Sequence, residues 1–169
     1  MQGPDMISME IAAKVVLIGI GATVVMDLWA MLQKALGMPT LGYAMVGRWV
    51  GHLCRGTYAH ANIGRAEPIP GESPLGWTIH YAVGLAFAAL LIGVQGAAWL
   101  RDPTWLPAVA VGLATVVMPF FLMQPAMGAG IAASRTPTPW KNRLRSLVTH
   151  AVFGYGLYLS AALLKLVWD

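Results

Sequence analysis

Residues 15–33 read VVLIGIGATVVMDLWAMLQ. One charged residue, Asp27, interrupts nineteen positions. About 20 apolar residues in a row span the hydrocarbon of a bilayer as a helix. Inside lipid only a helix satisfies its own backbone hydrogen bonds, so the stretch predicts a membrane helix over about residues 11–36. The acidic start, MQGPDMISME, lacks the basic region and cleavage site of a secretory signal, so the run after it is expected to be retained as the first span.

Three further stretches repeat the pattern, over about 76–100, 105–128 and 144–167. The expected fold is all-α: a single integral membrane domain, residues 1–169, built as a four-helix bundle. Composition agrees. Hydrophobic residues make up 57% of the 169-residue chain and charged residues 11%, with a mean hydropathy of +0.63. A soluble domain carries about 25% charged residues. Pro119 and Pro125 lie inside the third span, where each removes an amide donor and frees a carbonyl one turn earlier, at Thr115 and Phe121. A kink is expected there. Trp99, Trp105, Trp140 and Trp168 fall near span ends, where indoles favour the interface.

The connection between the first two spans is long. Its first part, LGYAMVGRWVGHLC, spaces polar residues among apolar ones and predicts a helix lying on the membrane surface. Its second part, RAEPIPGESPLG, is loop by its Pro and Gly content. The single cysteine, Cys54, cannot form an internal disulfide and reads as a free thiol.

Orientation follows from the basic residues. Lys34, Arg48, Arg55, Arg65, Arg135, Lys141, Arg143 and Arg145 fall on one side; Lys14, Arg101 and Lys165 fall on the other. That bias puts the two basic loops in the cytoplasm and both termini outside. It also accounts for the net charge of +4 without nucleic acid, for which no motif is present. Arg48, Arg55, Arg135, Arg143 and Arg145 are expected to meet lipid headgroups, each worth about 1 kcal/mol near the surface.

The halves of the chain echo each other. Ala22-Thr23-Val24-Val25-Met26 recurs as Ala114-Thr115-Val116-Val117-Met118, and Thr78-Ile79-His80 with Gly84 is matched by Val148-Thr149-His150 with Gly154. Two spans per half predict parallel repeats about an axis along the membrane normal.

Asp27 is the residue most in need of explanation. A carboxylate at the centre of a span costs roughly 2.5–3.5 kcal/mol on insertion scales and normally faces the bundle with a partner. Thr23 and Lys34 share its helix face. His80 and His150 each lie just inside the end of a span on the basic side. In an up-and-down bundle their helices are diagonal, so the imidazoles can face each other. Asp27, His80 and His150 then form a two-nitrogen, one-oxygen set suited to a divalent metal. Alternatively the two histidines hold a haem, with Gly84 and Gly154 leaving room for the macrocycle. The plainer alternative is that each polar group only bridges helices. His52 and His60 would extend a site or lie in a wet interfacial loop, and Gln124 would fill the kink or line a passage. The ten methionines are scattered and read as packing. No nucleophile with its base, phosphate loop or HExxH is present, which places catalysis behind three other readings. These are a cofactor protein, a small ion or solute transporter that would need a homo-oligomer, and an accessory subunit of a membrane complex.

The segments MDLW, VGRWVGH, GWTIHYAVG, FLMQPAMGAGIAASRTP and THAVFGYGLY resemble a bacterial family of small inner-membrane proteins, the domain of unknown function numbered twenty-nine thirty-eight. The resemblance runs from about Asp27 to Leu164. It implies four membrane helices and no assigned activity, and it places Asp27, His52, His80 and His150 in recognisable segments.

Overall fold

A computed structural model describes residues 4–168, with side chains from residue 8 onward. Four helices are long and apolar enough to cross a bilayer, with mean hydropathies of 2.2, 1.8, 2.2 and 1.5 over their most apolar windows. The first is α1 (Pro4–Ala35). A shorter helix, α2 (Tyr43–Leu53), precedes the second span, α3 (Glu72–Gln95). The third span, Trp105–Ala126, is broken: α4 covers Trp105–Ala114, a π-helical turn Pro119–Met123, and a last turn, α5, Gln124–Ala126. The fourth is α6 (Pro139–Trp168).

The long helices form a bundle in which α1 packs on α3 and α6, and α4 packs on α6. The diagonal pairs are α1 with α4 and α3 with α6. The fourth side stays loose, because α3 and α4 touch only lightly. Two close crossings explain the tight sides. Gly112 of α4 meets Gly154 of α6 backbone to backbone, and Gly19 of α1 meets Leu85 and Gly84 of α3. Small residues let membrane helices approach this closely, where dispersion rather than water exclusion drives association. The core between the crossings holds Ile18, Ala22, Leu91, Phe153 and Leu157. Leu28, Met31, Leu90, Val94, Phe121, Leu163 and Leu166 point outward. A surface so apolar matches hydrocarbon.

The third span breaks where its prolines require. Thr115 O accepts from Met118 N at 3.0 Å, a tighter turn than an α-helix makes, and Gln124 N reaches back to Pro119 O, which widens the next turn. The helix after the first span packs on the second: Gly47 of α2 and Gly76 of α3 bring the two backbones into contact. One expectation is corrected: Trp99 is not exposed at the end of its span. After α3 ends at Gly96, a 3-10 turn (Ala97–Leu100) folds Trp99 into the core, 6% exposed. Trp105, Trp140 and Trp168 are exposed.

Candidate functional site

Asp27 sits two turns before the end of α1, where α2 and α3 converge. His80 Nε2 lies 2.9 Å from its Oδ1, Tyr43 OH donates to Oδ1 at 3.2 Å, and Tyr81 OH donates to Oδ2 at 3.0 Å. A carboxylate only accepts, so His80 carries its proton on Nε2. Tyr43 also stacks on His80, with ring centroids 4.1 Å apart, and Trp77 closes the box 4.4 Å from Tyr43. Burial, with Asp27 beside it, pushes the Tyr43 phenol well above the usual tyrosine range, which keeps it a donor. Asp27 thus joins three helices through three donors.

Neither residue sharing the Asp27 helix face is its partner. The Thr23 hydroxyl donates to Gly19 O at 2.7 Å within its own helix, and Lys34 is exposed. Sequence reasoning missed Tyr43 and Tyr81. The signal for Tyr81 was its position beside His80 in the run TIHY; Tyr43 gave none.

His150 stands apart from this group. Its Nδ1 is 2.9 Å from Thr115 Oγ1, and that hydroxyl gives its only proton to Gly112 O at 2.6 Å. His150 must therefore donate from Nδ1, which leaves Nε2 with a free lone pair. Among the described residues, no three His, Cys, Asp or Glu side chains gather closely enough to hold a metal ion. The room at Gly84 and Gly154 is also taken, by Thr23 and by Ala108, Val109 and Gly112.

What the bundle does bring together is a cavity. It has a volume of about 550 Å³ and lies on the loose side of the bundle, between the facing halves of α1, α3, the broken third span and α6. It follows α6 from Asn142 to Phe153, about 16 Å at the rise of a helix. Its walls are mostly apolar: Met26, Ala30, Ile79, Phe87, Met123 and Phe153. His80, Gln124, Ser146 and His150 also line it, and Arg145 and Asn142 stand toward the loop end. Gln124 gives an N–H to Ser146 Oγ over 3.5 Å, and its Oε1 is buried with no hydrogen-bond partner.

The remaining polar residues lie on α2, at the start of α6 and in the loops. His52 Nδ1 and His60 Nε2 are 2.8 Å apart, and His52 Nε2 meets Glu67 O at 3.0 Å, so the pair is separate from the Asp27 group. Arg48 is not a headgroup contact. Its Nε and Nη2 donate to the two Glu72 oxygens at 2.9 and 2.8 Å, and its Nη1 donates to Ile63 O and Ala66 O. Arg143 Nε donates to Ala132 O at 2.8 Å, whereas Arg55 and Arg135 are exposed. Cys54 is a free, exposed thiol.

Four helices long and apolar enough to cross a membrane define the class: a multi-pass α-helical membrane protein, here with a cavity between its helices. The family model for the proteins of unknown function DUF2938 matches residues 16–164, and the chain belongs to that family. No curated protein and no solved structure matches it.

Proposed function

We propose that this protein binds a small, largely apolar molecule in the cavity between α3 and the broken third span. The cavity itself carries the proposal. Small-molecule sites are typically concavities of about 300–1,000 Å³ with apolar walls and a few convergent polar groups. This one has about 550 Å³, apolar walls, and His80, Gln124 and His150 among its lining. The π-helical turn at Pro119–Met123 supports the same reading, since such turns are frequent at functional sites and this one forms part of the wall. The protein would act in a bacterial inner membrane with its basic loops cytoplasmic, where the charge bias would set it. The glycine crossings of α1 with α3 and of α4 with α6 favour an origin by duplication.

Transport of the bound molecule is the second reading, favoured by the broken third span: discontinuous helices line substrate sites in many transporters. The cofactor reading is weaker. Asp27 gives both oxygens to protein donors, which leaves only His80 and His150 on the cavity wall.

Native mass spectrometry of the protein released from mild detergent tests the proposal, with visible absorption and metal content measured on the same sample. The expected result is a bound small-molecule adduct that Ala30→Phe, which fills the cavity from α1, abolishes without lowering the unfolding temperature. A Soret band or near-stoichiometric metal lost in both His80→Ala and His150→Ala would replace this account with the cofactor one. An adduct unaffected by Ala30→Phe would remove the cavity from it.

A further inference from the structure

We infer that the ligand carries a hydrogen-bond donor, a hydroxyl or an N–H, that gives its proton to one of two acceptors on the wall, His150 Nε2 or Gln124 Oε1; the inference rests on the cavity being a binding site. The wall at this point offers acceptors lacking donors. Thr115 spends its one proton on Gly112 O, which forces His150 to donate from Nδ1 and strips Nε2 of hydrogen. Among the described residues, Nε2 makes no hydrogen bond. Gln124 leans on Ser146 through its amide nitrogen, and its Oε1 is buried and unpaired. Ser146 and His150 are four residues apart on α6, about 6 Å along its axis, so the Ser146 that Gln124 leans on and His150 lie on one face of that helix. Both residues line the same cavity, against Phe153, Met123 and Met26.

A buried acceptor without a donor destabilises a protein unless something supplies the donor. In an apolar pocket at membrane depth, water is a poor candidate and a lipid-soluble molecule a good one. The chemistry that fits is an alkyl or aryl body with a protic head, such as a long-chain alcohol, a phenol or a quinol. A site with an unpaired acceptor discriminates against the analogue that lacks the donor, because the acceptor then stays unsatisfied. Arg145 stands nearer the loops and hands an N–H to Asn142 Oδ1 at 3.4 Å, so its charge is not at the deep end.

Isothermal titration of the full chain in lipid nanodiscs, with bare nanodiscs as the partition blank, tests this with two probes: para-hexylphenol and its methyl ether. The phenol is expected to bind about tenfold more tightly, the scale of one well-made buried hydrogen bond. Whichever of His150→Phe and Gln124→Leu removes the acceptor that the phenol uses should shrink that ratio. The parent comparison alone decides the matter should either variant fold poorly. Equal saturable binding of both probes overturns the donor inference and leaves the cavity standing. No saturable binding of either probe overturns both.

Discussion

Asp27 is a brace before it is anything else. Its two oxygens receive Tyr43, His80 and Tyr81, so one carboxylate locks α2 and α3 onto α1. Asp27→Ala strands three donors and should cost on the order of 3 kcal/mol, whereas His80→Phe, which keeps both tyrosine bonds, should cost less. Thermal unfolding in detergent measures both; an unchanged midpoint for Asp27→Ala would mean that the carboxylate holds nothing. At this scale the sequence was half legible. A carboxylate inside an apolar run announces itself, because its burial demands partners. His80 was grouped with it, but the two tyrosines were not, since Tyr43 and Tyr81 lie 16 and 54 residues away. Helix periodicity sees only neighbours on one face, which is why Thr23 and Lys34 stood in for the tyrosines. His150 was legible as polar and not by its role, which depends on the proton that Thr115 gives to Gly112.

The elements themselves were plain in the sequence, because hydropathy is additive along a chain. The expected spans 11–36, 76–100, 105–128 and 144–167 fall on helices that differ by a few residues at most ends. The differences have local causes: Gly96 ends α3 early, and Pro139 begins α6 well before the apolar run, as a first-turn proline can. What Arg48 does was not legible: expected at lipid headgroups, it is spent on Glu72 and on the Ile63 and Ala66 carbonyls. That fork fastens the loop between α2 and α3. Arg48→Met should release it, so that trypsin cuts after the exposed Arg55 and Arg65 several-fold faster in nanodiscs. Arg48→Lys should rescue only in part, because an ammonium cannot match both oxygens of the carboxylate. Cleavage at the parent rate in Arg48→Met would show that the helix contact at Gly47 and Gly76 suffices.

At the scale of the whole molecule, the cavity arises from unequal packing. Glycine crossings close the α1–α3 and α4–α6 sides, while α3 and the broken third span stand apart. No single span encodes that gap; it appears only once four helices are placed, which is why His80 and His150 could be set facing each other from sequence but Gln124 could not be joined to them around a common space. The most direct test of that space is photolabelling in nanodiscs with an apolar alkyl diazirine, with and without excess para-hexylphenol, and mapping of the labelled residues. The account predicts labels at Met26, Met123 and Phe153 that the phenol displaces, beside undisplaced labels on lipid-facing Leu28, Val94 and Leu166. Labelling confined to the lipid-facing residues, or untouched by the phenol everywhere, would contradict it.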